Sequence, residues 1–181
     1  NVKTRFRILI CYDFEEDNTL EAINKTDRSA SIEFIKNIGA GPCDAVKSGF
    51  HASNSECVIV YPGDDISNQK IIDTMYTKHI EGADVVVASR FIPGGSMIGC
   101  PLIKSILVRT ASFSLFVLSS IPVKDASNGF RLFSRKVLDS INIQSTHGFT
   151  YSLEILVKCN RLKWPIQEVP AEWIERKEGK S

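Results

Sequence analysis

The sequence has no CxxC pair. Its five cysteines stand at 11, 43, 57, 100 and 159, spaced for neither a zinc site nor a redox motif. They read as small buried apolar residues in a reducing compartment. A charge excess is missing too. Twenty-two Lys and Arg against 21 Asp and Glu leave +1, which excludes a dedicated nucleic-acid surface, since such surfaces carry a clear basic surplus. No uninterrupted apolar run of about 20 residues is present to span a membrane; the most apolar stretch, 106–123, contains Arg109 and several serines. There is no internal repeat, no low-complexity segment and no signal-peptide pattern in the opening residues. His51, His79 and His147 lack the partner spacing of a metal site. These absences predict one domain over 1–181, cytoplasmic or at the cytoplasmic face of a membrane.

What is present is alternation. Short apolar runs at 6–12, 31–35, 57–61, 84–89, 129–133 and 166–173 read as strands. Helical patterns follow Asp17-Asn18-Thr19, occupy 42–52, 101–120 and 151–160, and open at Ser67 with Ile71, Ile72, Met75 and Tyr76 on one face. Strands alternating with helices imply an α/β fold, a mostly parallel sheet with helices on both faces. Ligands of such sheets bind beyond the carboxyl ends of the strands. Asp13, Asp64, Asp65 and Arg90 all fall at predicted strand ends.

Asp64 and Asp65 follow an apolar strand and a Pro-Gly turn. Adjacent carboxylates repel, so they need solvent, neighbouring donors or a cation. A hard cation such as Mg²⁺ or Mn²⁺ would satisfy them and bridge to substrate phosphates; the alternative is a solvated turn capping the next helix. Arg90, Arg109, Arg131, Arg176 and Lys177 sit in separate segments, most of them beside glycines or loop signals. Arginine's planar fork suits phosphate, though Arg131 also suits a fold-bracing salt bridge with Asp125. The helix at 101–120 carries too many apolar residues for one narrow stripe. One face suits the core, and the other either the core again or a bilayer surface.

Val58-Ile59-Val60-Tyr61-Pro62-Gly63-Asp64-Asp65 resembles the strand-plus-acidic motif of glycosyltransferase family 2, whose members have the GT-A fold. Ile10 to Thr19 is similar to that family's second-strand segment, and Asn37-Ile38-Gly39-Ala40-Gly41 to its glycine loop. Ala88-Ser89-Arg90-Phe91-Ile92-Pro93-Gly94-Gly95 and Asp125-Ala126-Ser127-Asn128-Gly129-Phe130-Arg131 resemble the dolichol-phosphate mannosyltransferase-like branch. So do Glu168-Val169-Pro170 and the ending with Arg176, Gly179 and Ser181. Two departures stand out. Gly63 occupies the place of the first acidic residue, and Tyr12 replaces the first Asp of the second-strand pair. The family's opening strand has no counterpart, so the resemblance implies a GT-A domain that is N-terminally incomplete.

The resemblance implies an inverting transfer of a sugar from a nucleotide-diphosphate donor to a polyprenyl-phosphate or glycan acceptor, with Mg²⁺ or Mn²⁺. It places Asp13, Gly41, Lys47 and Asp64 on the donor, Asp65 and Asp64 on the metal, and Arg90, Arg109 and Arg176 on acceptor or diphosphate. Asp65 and Asp125 are the candidate catalytic residues, Asp125 as a base if the acceptor is a hydroxyl. A lipid phosphate, already anionic, would need none. Two other readings stay open: a non-catalytic sugar-nucleotide-binding or membrane-associated domain, favoured by Gly63, and a nucleotidyltransferase, which lacks its signature loop here.

Overall fold

The computed structural model describes residues 2–24 and 31–175. Chain order is β1 (Arg7–Tyr12), α1 (Asn18–Asn24), β2 (Ser31–Lys36), α2 (Gly41–Ala52), β3 (Cys57–Val60), α3 (Ile71–Ile80) and β4 (Val85–Ser89). There follow β5 (Ser96–Ile98), α4 (Leu102–Ser119), β6 (Arg131–Ser134), α5 (Arg135–Ser140), α6 (Thr150–Arg161), β7 (Ile166–Pro170) and β8 (Glu172–Ile174). The strands form a four-stranded sheet in the order β3-β6-β4-β7 and two pairs, β1-β2 and β5-β8.

β4 alternates between two cores. Val85 and Val87 point to one face, against Phe133, Cys43 and Phe50 of α2, and Tyr151, Ile155 and Leu156 of α6. Val86 and Ala88 point to the other, against Leu132, Phe130, Val169, and Ile71 and Met75 of α3. A strand buried on both faces reads as continuous apolar residues, which is why Val85-Val86-Val87-Ala88 shows no alternation. Each such valine contributes about 1.5–3 kcal/mol through burial.

The mostly parallel α/β fold is as expected, and the structure adds to or amends the sequence reading at four places. β6 runs antiparallel to both β3 and β4, whereas β1-β2, β4-β7 and β5-β8 are parallel. Its four residues are wholly buried, so pattern alone could not give direction. The strand expected over 166–173 breaks at Ala171, where the chain moves from β4 to pair with β5. The helix expected from Ser67 starts at Ile71, because Ser67 and Asn68 form the turn that Asp65 caps. β5 and α5, too short for a periodicity signal, were absent from that reading.

β3 and β4 both run opposite to β6, so they point the same way, and β7 follows β4. The turn after β3, Arg90 after β4, the entry to β6 and the exit of β7 therefore gather at one end of the sheet. β1 and β3 each keep one edge unpaired among the described residues. Their apolar residues, Ile8 to Cys11 and Val58 to Val60, are only half-buried.

Candidate active site

Arg90 leaves β4 at this end and meets Asp125. The guanidinium donates from Nε (2.7 Å) and Nη2 (2.8 Å) to the two carboxylate oxygens, and the Arg90 backbone N–H adds a third bond at 3.0 Å. Ser127 Oγ donates to the same carboxylate at 3.1 Å and accepts from Arg90 Nη2 at 2.8 Å. Asp125 is fully buried, and its own N–H, with that of Lys124, donates to Glu168. A bidentate pair held this way fixes the guanidinium plane. The close turn behind it needs a glycine: a Cβ on Gly95 would stand 2.5 Å from the Ser89 carbonyl oxygen.

Arg131, the partner expected for Asp125 from sequence, turns elsewhere. Its guanidinium is fully buried and donates to the backbone oxygens of Asn128 (2.8 Å), Ala126 (2.5 Å) and Ser152. Burial pulls its pKa down to about 10, with Tyr151 and Asp125 acting the other way. It braces the loop that carries Asp125.

Two cations approach the Phe91 ring, the Arg90 Cζ at 5.1 Å and the Arg109 Cζ at 4.9 Å from its centroid. With Phe113, Phe116 and Lys124, Phe91 and Arg109 line a pocket of about 250 Å³. Arg109 and Lys124 have no ion pair among the described residues; besides the Phe91 ring, Arg109 meets Ser105 Oγ, donating to it at 3.4 Å. Aromatic walls with two unneutralised cations suit an anionic head on an apolar body. The sequence reading gives Arg109 a phosphate role but assigns none to Phe91, which lies inside the Arg90 motif, or to Lys124, whose only signal is adjacency to Asp125.

The acidic turn is more occupied than its sequence suggests. Asp65 Oδ1 accepts from the backbone of Ser67 and Asn68, each at 2.9 Å, and Oδ2 from Asn68 Nδ2 at 2.6 Å. The buried Asn68 also grips Glu172, donating to its O at 2.6 Å and accepting from its N at 2.9 Å. Asp64 is exposed. Among the described residues no three His, Cys, Asp or Glu side chains cluster as a metal cage. The remaining lone pairs of Asp65 and the carboxylate of Asp64 supply at most two ligands. Mg²⁺-type ions accept one or two carboxylates when substrate phosphates and water complete the shell, so these residues fit a cation that arrives with a diphosphate.

Asp13, at the end of β1, accepts from Asn37 Nδ2 (2.6 Å) and Gly41 N (3.3 Å). Asn37 thereby ties the ends of β1 and β2 to the start of α2, where Gly41 takes φ +76°. Lys47 faces the other way, donating to the Ser145 carbonyl at 2.5 Å. Arg176 lies outside the described residues. The structure thus ties Asp125 to Arg90, sets Arg90 and Arg109 against the Phe91 ring, holds Asp13 with Gly41, and directs Lys47 to the 142–149 loop.

An acidic turn and a guanidinium–carboxylate pair thus stand at the carboxyl ends of the strands in a mixed α/β protein. Its fold is GT-A: a solved glucosyl-3-phosphoglycerate synthase from Mycobacterium tuberculosis, in complex with Mn²⁺, uridine-diphosphate-glucose and phosphoglyceric acid, matches at TM-score 0.65 and 16% identity, over 96% of this chain and 60% of that one. Another solved mycobacterial protein matches at TM-score 0.69 and 15% identity, over 97% of this chain and 58% of that one. The chain belongs to glycosyl transferase family 2, whose sequence pattern matches residues 2–141. Its relatives include the polyprenol monophosphomannose synthase of Mycolicibacterium smegmatis, 29% identical over 55% of this chain and 38% of that protein. The dolichol-phosphate mannosyltransferase of Pyrococcus furiosus is 24% identical over 97% of this chain and 50% of that protein. These relatives place the chain in the dolichol-phosphate mannosyltransferase-like branch; it spans half or less of their length.

Proposed function

We propose that the chain is the catalytic domain of an inverting glycosyltransferase that moves a sugar from a nucleotide-diphosphate donor to a lipid phosphate at the cytoplasmic face of a membrane. The observation that carries this reading is the pocket of Phe91, Arg109, Phe113, Phe116 and Lys124, apolar in its walls and cationic at two points. An acceptor phosphate oxygen attacks the anomeric carbon as the bond to the diphosphate breaks, and the nucleoside diphosphate departs with the electron pair. The nucleophile is already ionised, so no proton has to move. That agrees with Asp125, whose oxygens are taken up by Arg90 and Ser127: it positions Arg90 for a phosphate. Asp13 and Gly41 border the donor side, and Asp64 and Asp65 would hold Mg²⁺ or Mn²⁺. When bound, that ion supplies charge neutralisation for the leaving diphosphate.

The working unit is one domain over 1–181 whose sheet takes a further strand between β1 and β3. β1 packs against α2, Val58 and Val60 of β3 pack against the core that Cys43 and Phe50 of α2 enter, and the apolar residues of both strands are half-buried. A non-catalytic donor-binding domain is the competing reading, favoured by Gly63 and by the engagement of Asp65 with Ser67 and Asn68. Calorimetry and a transfer assay separate the two. Mn²⁺ should bind weakly alone and tightly with a nucleoside diphosphate, and Asp65→Ala should cut transfer to isoprenyl phosphate about a hundredfold or more. Binding of donor without any turnover would establish the competing reading.

A further inference from the structure

Helix α4 is built inside out. Its inward row is Ser105, Val108, Ser112 and Leu115, with Ser112 fully buried and its hydroxyl 3.3 Å from that of Ser127. Its outward residues are Leu102, Ile103, Ile106, Leu107, Val117 and Leu118, of which Leu102 and Ile103 are 75% and Leu118 84% exposed. A helix between a core and water has the reverse polarity. At about 100° per residue the six outward residues fill an arc of roughly 160°, and Lys104 and Arg109 fall at its two borders. No acidic residue occurs anywhere in α4. Exposed Ile98 and Ile174, from β5 and β8, add to the apolar surface. Lys104 lies over the Trp173 ring at 4.8 Å and pairs with Glu175 at 2.9 Å. No described helix is long and apolar enough to cross a membrane.

We propose that the outward face of α4 docks flat on an anionic phospholipid surface, its aliphatic arc among the upper acyl chains and its bordering cations at headgroup level. An apolar arc on a helix without acidic residues, bordered by Arg109 on one side and by Lys104 with its partner Glu175 on the other, fits that surface, with the long basic side chains reaching back to the phosphates. A protein partner would require no such edging. The second argument rests on the lipid-phosphate reading: Phe113 and Phe116 belong to α4 and also line the pocket. A lipid phosphate held in its bilayer enters that pocket without leaving the membrane only if α4 lies at headgroup depth.

The test is flotation of the protein with vesicles of phosphatidylcholine containing phosphatidylglycerol, beside vesicles of phosphatidylcholine alone. The quadruple variant Leu102→Gln, Ile103→Gln, Leu107→Gln and Leu118→Gln alters only exposed side chains outside the pocket. Wild type should float with the anionic vesicles, and the variant should lose at least about tenfold in partitioning while transferring normally to a water-soluble, short-chain isoprenyl phosphate. Wild type that ignores both vesicles, or a variant that floats equally well, overturns the proposal. A wild-type dimer that the variant converts to monomer, without vesicle binding, also overturns it, because the face then belongs to a second copy. Flotation with no transfer to the soluble acceptor upholds docking and removes the enzymatic reading alone.

Discussion

The two halves of the sheet carry similar strands in different settings. In β4 and β6 every residue is buried, whereas the equally apolar β1 and β3 have none that is. The polar groups divide the same way. On the β4 side Asp125 and Arg90 satisfy one another away from water, while on the β1 and β3 side the carboxylate of Asp64 is exposed. The difference separates polar groups that brace one another inside the fold from a carboxylate that stands at the surface.

That division can be broken most forcefully at Asp125. Asp125→Ala leaves a nearly buried guanidinium without its counter-charge and should lower unfolding free energy by about 3–5 kcal/mol, read from a denaturant midpoint. A loss below about 1 kcal/mol would show that the pair is not the keystone of its half. Arg109→Ala, at an exposed cation, should barely move that midpoint. It should instead raise the KM for a lipid phosphate about 10- to 100-fold, the worth of one charge-assisted hydrogen bond, and an equal effect on the donor KM would refute its acceptor role.

The smallest effect belongs to Glu154, away from both halves. Burial acts to raise its pKa, but hydrogen bonds from Lys158, from the Ser145 hydroxyl and from the backbone of Gln144 and Ser145 win, bringing it from 4.5 to about 2. A carboxylate whose folded pKa lies below its unfolded one adds stability that is complete above the unfolded value and lost as pH falls through the folded one. Glu154→Gln should cost about 1 kcal/mol at pH 7 after solvent screening, with the gap to wild type closing between pH 4.5 and 2. A gap constant with pH would exclude the linkage.

Much of this was legible in the residues. Val85 to Ala88 announced a doubly covered strand, Pro42 a helix start, and Asp64, Asp65 and Arg90 the carboxyl ends of their strands. What stayed hidden depended on partners distant in the chain. Arg90 reaches Asp125 across 35 positions and Asn68 reaches Glu172 across 104, and no local pattern records such a meeting. Direction of β6 was hidden too, because a fully buried four-residue strand reads the same either way. The apolar excess of 101–120 was visible, but which way each side chain faced was decided by tertiary packing.

Asn68 has one further consequence. Its amide nitrogen is shared between Asp65 and the Glu172 carbonyl, and its amide oxygen takes the Glu172 N–H. A single planar group of fixed size thus rivets the tip of the third strand to the eighth. The acidic turn cannot swing outward by an ångström unless β8, and the parallel ribbon it makes with β5, travels along.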